Sequence, residues 1–367
     1  MNKNLKRRAG LLLVMALWLG LCLWAWSKPA QTISESERRP LAQMPRLTGE
    51  TLTNGSFMRD FSKYAVDQFP LRDGFRQMKA LYTYHVLGQK DNNGIYLHDG
   101  YAAKMEYPLN EGSVQYACDR FRALYQGYLQ KTGSKVYFAM VPDKSYYLAR
   151  EAGVLSMDYA ALTAMLQEQL PFAEFIDLTD ALELSDYYRT DTHWKQPCLS
   201  GVVEVLGEAM GFEPPTEVDS LTATEEFLGV YAGQSAMPMQ PEVLDYLTFP
   251  GWTDVTVFSA DTQKTTGLYD LDKLDSRDPY EVFLGGNMAV QILRNPHADP
   301  EKKLIVFRDS FGSSLAPWLA ASYGEITLVD TRYIAPAMLR NFVSFEGQDV
   351  LMLYSALVLN SSGTLRK

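Results

Sequence analysis

The pattern of apolar and polar positions separates a short N-terminal apolar run from a long globular part of the chain. From residue 52 onward the apolar positions recur at helical spacing, and Phe57, Phe61 and Tyr64 fall on one face. Phe69-Pro70 interrupts this spacing, and a second helix is predicted over about 72–87. The chain therefore enters its globular part through a pair of helices.

Near residue 135 the pattern changes to short apolar runs that alternate with amphipathic segments. Residues 135–141 are almost continuously apolar, which is typical of a buried parallel strand. Further strands are predicted at 175–178, 304–307, 326–329 and 350–354, and helices at 111–131, 159–169, 199–210 and 313–323. This alternation predicts an α/β sandwich around a mostly parallel sheet. Residues 221–286 interrupt it and predict an inserted loop or small β region.

The N-terminal apolar run extends over residues 9–26 without a charge. Its eighteen residues, at a rise of ~1.5 Å each, are long enough to cross a bilayer core. Residues 1–8 are basic and should stay in the cytoplasm, which places the rest of the chain outside. A cleaved signal peptide and an uncleaved anchor both fit. The anchor is favoured, because the run is rich in tryptophan and no Ala-x-Ala site follows.

This reading predicts a single-pass protein of the cell membrane. A polar, proline-containing linker is predicted over 27–55, and an extracytoplasmic domain over 56–367. The formal net charge of −10 argues against a nucleic-acid partner, because phosphate binding needs clustered cations. Cys22 lies in the apolar run, and pairing of Cys118 with Cys198 stays open. No Cys/His group has zinc spacing, so neither a metal nor a cofactor is predicted.

Two short motifs carry the candidate chemistry, and the first is Arg308-Asp309-Ser310-Phe311-Gly312. Ser310 stands between a predicted strand and a predicted helix, which places it at the C-terminal edge of the sheet. Free N–H groups at the start of that helix would stabilise negative charge on a substrate oxygen. The alternative is that Asp309 or Ser310 only caps the helix.

The second motif, Asp191-Thr192-His193-Trp194, supplies a base and an acid. A serine hydroxyl needs a base within hydrogen-bond reach, and the chain has four histidines in all. A carboxylate two residues from His193 can hold one imidazole nitrogen and fix the tautomer. The alternatives are a structural histidine buried beside Trp194 and a turn carboxylate at Asp191.

These motifs, together with three further segments, resemble the DHHW family, which is related to the SGNH-hydrolase-like domains of the alginate O-acetyltransferases. The further segments are Met140-Val141-Pro142-Asp143-Lys144, Glu37-Arg38-Arg39-Pro40-Leu41 and Asp67-Gln68-Phe69-Pro70-Leu71-Arg72-Asp73. The resemblance covers roughly residues 35–360. It implies an SGNH-hydrolase-like three-layer sandwich, here preceded by the N-terminal transmembrane helix.

The resemblance also implies a serine-dependent enzyme that acts on acyl groups of carbohydrate. Carried onto this chain, Ser310 takes the acyl group, His193 moves the proton and Asp191 orients His193. Asn287 or Gly286 could add an oxyanion donor, although Gly285-Gly286-Asn287 could also be a plain turn.

Three further residues are candidates for oxyanion or substrate contacts. Lys144 could contact a polar or anionic substrate, although a solvent-exposed lysine at a strand end is favoured. Trp194 and Arg308 adjoin the proposed triad. Arg308 stands where the hydrolase motif has glycine, and it is expected to crowd the turn.

Two functional hypotheses follow. The first is a membrane-anchored O-acetyltransferase or acetylesterase that acts on an exported cell-surface polysaccharide, with a multi-span membrane O-acyltransferase as the acyl donor. The second is a catalytically inactive envelope domain that binds polysaccharide or partner proteins through its tyrosines and tryptophans.

Overall fold

A computed structural model describes residues 3–366 of the chain, with side chains from residue 7 onward. The chain forms two compact units. The first contains the residues up to Gln89 together with Ala236–Pro238, and the second contains Lys90–Ser235 and the residues from Met239 onward. The linker boundary predicted at residue 55 falls inside the first unit.

The first unit is mainly helical. It contains α1 (Lys3–Ser27), a short pair of strands β1 (Ile33–Ser34) and β2 (Arg39–Pro40), then α2 (Gly49–Thr53), α3 (Ser56–Asp67) and α4 (Arg72–His85). Within helix α1, Arg7–Ser27 is long and apolar enough to cross a membrane. The two helices predicted around Phe69-Pro70 are confirmed as α3 and α4. Arg39 donates two hydrogen bonds to Asp67, at 2.9 and 2.7 Å, and so joins the segment after α1 to α3.

The second unit begins with a small antiparallel sheet of β3 (Asp91–Asn92), β4 (Ile95–His98) and β5 (Tyr101–Lys104). Its main elements then follow in the order α5 (Glu111–Leu124), β6 (Val136–Val141), α6 (Lys144–Ala152), α7 (Tyr159–Gln169), β7 (Glu174–Asp177), α8 (Ser200–Met210), β8 (Asp219–Phe227), α9 (Val230–Ser235), β9 (Glu242–Thr248), β10 (Thr256–Ser259), β11 (Lys264–Thr266), β12 (Val290–Arg294), β13 (Lys303–Arg308), α10 (Phe311–Ala320), β14 (Glu325–Val329), β15 (Asp349–Ser355) and α11 (Ala356–Asn360).

Eight of these strands form one sheet in the order β11-β10-β12-β14-β13-β15-β6-β7. The pairings from β14 to β7 are parallel, and the three from β11 to β14 are antiparallel. The predicted α/β fold with a mostly parallel sheet is therefore confirmed.

Both faces of this sheet are covered, which gives the three-layer arrangement. Along β6, Tyr137 and Ala139 belong to one apolar core, and Phe138 and Met140 belong to the other. Helices α8 and α10 pack into the first core, and α5, α7 and α11 into the second. A strand buried on both faces needs a continuous apolar run, which explains the composition of residues 136–141.

The region 221–286 was predicted as an inserted loop or small β region. It carries most of the two-stranded sheet β8–β9, and it also contributes β10 and β11 to the edge of the main sheet. The helix predicted over 313–323 begins earlier, at Phe311, because it follows the turn after β13 without a spacer. Cys22, Cys118 and Cys198 are all free in the structure.

Candidate active site

The turn that carries Ser310 is held in place by Asp309. Strand β13 ends at Arg308 and α10 begins at Phe311, so only two residues separate them. One Asp309 carboxylate oxygen accepts the Phe311 N–H at 3.0 Å. The other accepts the N–H and the hydroxyl of Ser355, at 2.8 and 2.7 Å, where the neighbouring β15 ends. Asp309 therefore caps the helix, and the Ser310 hydroxyl makes no cap hydrogen bond.

The Ser310 hydroxyl instead forms a hydrogen bond with His193. The Ser310 Oγ lies 2.8 Å from His193 Nε2, and His193 Nδ1 lies 2.6 Å from Asp191 Oδ1. An ionised carboxylate can only accept, so the hydrogen sits on Nδ1 and Nε2 is left to accept the serine proton. The structure thus brings together all three residues that the sequence predicted for the triad. Asp191 and His193 are buried, whereas Ser310 is partly exposed.

The segment before His193 fixes the position of Asp191. The Val230 N–H at the start of α9 donates to the second carboxylate oxygen of Asp191 at 2.8 Å. The buried carboxylate of Glu242 accepts the N–H and the hydroxyl of Thr190, at 2.7 and 2.6 Å. A Cβ on Gly229 would lie 2.2 Å from the Asp191 Cβ, so only glycine fits there. The carboxylate is consequently held from both sides.

Tyr280 is a site residue that the sequence did not reveal. Its ring stacks on the His193 imidazole with 3.8 Å between centroids and 5° between planes. Its hydroxyl donates to Ser314 Oγ of α10 at 2.8 Å, and burial raises the pKa of Tyr280 well above its usual value. Tyr280 lies in the 221–286 region, where no periodic pattern pointed to it. The imidazole plane is therefore set by a protonated tyrosine.

Trp194, one of the candidates for an oxyanion or substrate contact, is buried inside the domain. The side chain is completely buried, and its Nε1–H donates to Ser314 Oγ at 2.8 Å and to the Phe311 carbonyl at 3.2 Å. Its ring meets the Phe311 ring edge-on at 5.3 Å. Trp194 thus connects the segment around His193 to the first turn of α10 through these hydrogen bonds and this ring contact.

Arg308 is also buried, and the predicted crowding of the turn does not occur. Its guanidinium lies beneath the turn, where it donates to Ser313 Oγ at 3.0 Å and to Gln291 Oε1 at 3.0 Å. A Cβ on Gly312 would lie 2.8 Å from the Arg308 Cβ, so this glycine makes room for the arginine stem. Burial lowers the pKa of Arg308, and the carboxylate of Asp330 at 4.0 Å opposes that shift.

The N–H groups at the start of α10 are not free to bind an oxyanion, contrary to the expectation from the sequence. The Phe311 N–H is taken by the Asp309 carboxylate, the Gly312 N–H by the Asp309 carbonyl at 3.1 Å, and the Ser313 N–H by the Ser310 carbonyl at 3.1 Å. The Ser310 N–H donates no hydrogen bond within residues 3–366. It is the available backbone donor at this turn.

Asn287 contacts Arg308 of the same turn. The side chain is exposed, and its Oδ1 accepts a hydrogen bond from an Arg308 nitrogen at 3.3 Å. A guanidinium has only donors, so this contact fixes the amide oxygen toward Arg308 and directs the NH₂ group elsewhere. Gly286 does not serve in this way, because its N–H donates to the Phe283 carbonyl at 3.2 Å.

The sequence suggested a solvent-exposed lysine at a strand end, but Lys144 is buried. Its side chain is 1% exposed, and Nζ donates to the carbonyls of Tyr188 and Arg189, at 2.8 and 3.2 Å. The ammonium also lies 5.0 Å from the centroid of the Tyr231 ring. Two carbonyls and one ring face account for the three hydrogens of an ammonium.

The environment of Lys144 changes its protonation. Burial lowers the pKa of Lys144 to about 7, and the negative charges of Asp191, Glu242 and Asp143 act in the opposite direction. Tyr231, against which the ammonium packs, donates its hydroxyl to Thr192 Oγ1 at 3.0 Å. Lys144 and its partners therefore hold the segment that carries the triad acid.

One group of potential metal ligands occurs among the described residues. His98, Asp99 and Glu151 each place one ligand atom within 4.8 Å of the others. Both carboxylates are exposed, and exposed acidic groups commonly gather without an ion. The hydrogen-bonded site at Ser310 does not include them.

Comparison with solved structures identifies the fold. The chain superimposes on a DHHW family protein from Eubacterium siraeum with a TM-score of 0.59 and 19% identity, over 76% of this chain and 97% of that one. Bacillus cereus PatB1 with a sulfonyl adduct gives a TM-score of 0.58 and 18% identity, over 72% and 95%. A second PatB1 structure gives 0.53 and 17%, over 72% and 96%.

The resemblance to the DHHW family that the motifs predicted is therefore confirmed at the level of the fold. No family model and no curated protein matches the chain. Identities below 20% establish a shared architecture only, so the activity has to be argued from the residues of this chain.

Proposed function

We propose that the chain is a membrane-anchored, serine-dependent O-acyl enzyme that adds acetyl groups to, or removes them from, an exported cell-surface polysaccharide. The observation that carries this proposal is the continuous hydrogen-bonded series from Ser310 through His193 to Asp191. A hydroxyl, a base and an orienting carboxylate in this order form an activated nucleophile.

In the first half-reaction the Ser310 oxygen attacks the carbonyl carbon of an acetyl ester, and its proton passes to His193 Nε2. Asp191 stabilises the imidazolium that forms. The oxyanion of the tetrahedral intermediate accepts hydrogen bonds from the Ser310 N–H and the Asn287 amide. When the intermediate collapses, the departing alcohol oxygen takes the proton from His193, and acetyl remains on Ser310.

In the second half-reaction a hydroxyl of the acceptor attacks the acetyl-serine. His193 removes the acceptor proton and returns it to the Ser310 oxygen. Water as acceptor makes the protein an acetylesterase, and a sugar hydroxyl makes it an O-acetyltransferase. The same residues perform both reactions, so the acceptor decides the outcome.

Two further observations support the proposal, one on the membrane anchor and one on the nucleophile. Helix α1 is long and apolar enough to anchor the chain in a membrane, and the basic residues Arg7 and Arg8 at its start favour a cytoplasmic N-terminus. Acetyl transfer outside the cell then needs a donor that brings acetyl through the membrane, which a multi-span O-acyltransferase would provide. The sulfonyl adduct of PatB1 also fits a nucleophilic hydroxyl in this fold.

Hydrolysis of a chromogenic acetyl ester by the purified full chain tests the proposal. We expect turnover by the parent protein and its loss in Ser310→Ala and in His193→Ala. His297→Ala is the matched control, because His297 also meets a carboxylate at 2.6 Å, that of Asp254, but is exposed. This control should retain the parent rate.

Turnover that survives both triad substitutions would overturn the assignment of the triad. If the parent protein hydrolyses no ester but binds the polysaccharide, the inactive binding domain becomes the better account. Addition of candidate polysaccharides to the assay distinguishes transfer from hydrolysis, because a transferase leaves acetyl on the acceptor.

A further inference from the structure

Helix α4 in the first unit has charged residues on its inner side and apolar residues on its outer side. The side chains of Arg72 and Arg76 are only 12% and 15% exposed. The outward residues are Leu71, Phe75, Met78 and Tyr82, which are 63%, 44%, 64% and 54% exposed. We refer to these four residues as the apolar face of α4.

The inner side of α4 is stabilised by ion pairs. Arg76 lies 3.2 Å from Glu37, and Arg72 pairs with Glu37 and lies 3.5 Å from Asp67. Ala80, farther along the same side, is fully buried. The inner side is therefore held within the unit by ion pairs. On the outer side Phe75 meets the Phe69 ring edge-on at 5.5 Å, and the described residues form no ion pair with the apolar face.

The apolar face of α4 is continuous along the helix. Phe75, Met78 and Tyr82 stand at positions i, i+3 and i+7 of the helix, on one side over about 10 Å, and Leu71 precedes them at the N-cap. Contiguous apolar surface of this kind on a soluble protein marks a site that another molecule or a membrane covers.

The start of α4 lies close to the end of α1. Gln68, between α3 and α4, accepts the Gln31 N–H at 2.9 Å and donates to the Gln31 carbonyl at 2.8 Å. Gln31 is four residues beyond Ser27, so the chain between them spans at most ~14 Å. Trp24 and Trp26 at the end of α1 are the residue type that gathers at the membrane–water interface.

We propose that the apolar face of α4 lies on the lipid bilayer that α1 crosses, so that α4 is an interfacial helix beside the anchor. This inference rests on the membrane anchoring in the proposed function and not on the triad. Leu71, Phe75 and Met78 enter the boundary between headgroups and acyl chains, and the amphipathic ring of Tyr82 suits the same depth. A lipid surface is the occupant because the two hydrogen bonds between Gln31 and Gln68, together with the ring contact of Phe69 with Trp18 at 6.5 Å, hold the start of α4 beside the second half of α1.

Collision accessibility of spin labels in the full chain tests this placement. The protein is reconstituted in nanodiscs of zwitterionic and anionic phospholipid, after its three cysteines are replaced. A nitroxide is attached in Met78→Cys, in the neighbouring exposed position Gln77→Cys as matched control, and in Ala16→Cys within α1. Molecular oxygen, which concentrates in lipid, and a water-soluble nickel complex then report the surroundings of each label.

The proposal expects a ratio of oxygen to nickel collisions that is several-fold higher at residue 78 than at residue 77, with residue 16 higher still. Equal ratios at residues 77 and 78 would overturn it, because the face would then be in water. Exclusion of both reagents at residue 78 would also overturn it, since a protein surface would cover the face. A label at residue 16 without oxygen preference would remove the anchor and the proposal with it.

Ester hydrolysis by the same samples keeps the two proposals separate. Phe75→Glu combined with Met78→Glu should lose the lipid contact of α4, while the hydrolysis rate stays at the parent value. Loss of hydrolysis in Ser310→Ala should leave the collision ratios unchanged. An inactive parent protein with the expected ratios would contradict the enzyme proposal alone.

Discussion

The imidazole Nε2 of His193 lies 2.8 Å from the hydroxyl oxygen of Ser310, although 117 residues separate them in sequence. The other imidazole nitrogen lies 2.6 Å from the Asp191 carboxylate. Neither residue has to move before the serine proton can be transferred. The acceptor nitrogen is thus oriented before a substrate binds.

Replacement of the triad acid should change the tautomer of His193. In Asp191→Asn the side-chain amide can donate to Nδ1, which moves the imidazole hydrogen to Nε2 and removes the acceptor for the serine proton. We expect kcat for ester hydrolysis to fall by about 10⁴-fold with a small change in KM. Steady-state kinetics of the purified variant measure both constants.

Asp254→Asn is the control for this prediction. Asp254 also contacts a histidine at 2.6 Å but lies on the surface, so its replacement should leave kcat unchanged. An Asp191→Asn protein that keeps most of the parent kcat would show that Asp191 does not orient the base.

The ring of Tyr280 should contribute more to kcat and to stability than its hydroxyl does. Tyr280→Phe keeps the ring on His193 and loses one hydrogen bond to Ser314, which costs ~1 kcal/mol of unfolding free energy. Tyr280→Ala removes the ring, should cost ~3–5 kcal/mol and leaves the imidazole free to tilt. Urea unfolding gives the stabilities, and kcat is measured where both variants are folded.

We expect kcat near the parent value for Tyr280→Phe and a large loss for Tyr280→Ala. Equal kcat values for the two folded variants would mean that the stack does not position His193.

Arg308 and Asn287 should act as one unit. Asn287→Ala removes the proposed oxyanion donor and should lower kcat by about 10²-fold. Arg308→Met keeps an unbranched side chain but removes the contact that fixes the amide oxygen, so it should also lower kcat. The double variant should lose little more than Asn287→Ala alone. Independent, multiplicative losses would show that Arg308 does not orient Asn287.

The buried lysine should give the stability a characteristic pH dependence. The pKa of Lys144 is lowered from 10.5 to about 7, so between these values the unfolded chain binds a proton that the folded chain lacks. The free energy of unfolding should therefore rise with pH in this window, by at most ~1.4 kcal/mol per pH unit. Lys144→Met lacks this contribution, and its stability should rise less with pH.

Urea unfolding at several pH values between 7 and 9.5 gives the two slopes, and groups common to both proteins cancel in the comparison. Identical slopes would show that Lys144 keeps an ordinary pKa in the folded protein.

The local sequence predicted the parts of the site that depend on neighbouring residues. Asp191 and His193 are two positions apart, so their pairing needed only a turn. Ser310 follows an apolar strand and precedes a helix, and both elements are recognisable from their periodicity. The parallel sheet followed from the same alternation, because the predicted strands at 135–141, 175–178 and 304–307 are each followed by a predicted helix.

The sequence did not predict the features that depend on distant partners. Tyr280 lies in a region without periodicity, and only the fold brings its ring onto His193. Lys144 was expected at a solvent-exposed strand end, and Arg308 was expected to crowd the turn, whereas both are buried. Lys144 is hydrogen-bonded to the Tyr188 carbonyl, and Arg308 to the amide oxygens of Gln291 and Asn287. No local sequence pattern predicts these partners.

The most direct test of the central claim is the detection of the acyl-enzyme. The full chain is mixed with an excess of an activated acetyl ester, quenched in acid, digested and analysed by mass spectrometry. The account predicts one acetyl group on the peptide that contains Ser310, at Ser310 itself, and none there in Ser310→Ala. Sustained turnover of the ester with acetyl on another residue, or with none on Ser310 under rapid quenching, would contradict it.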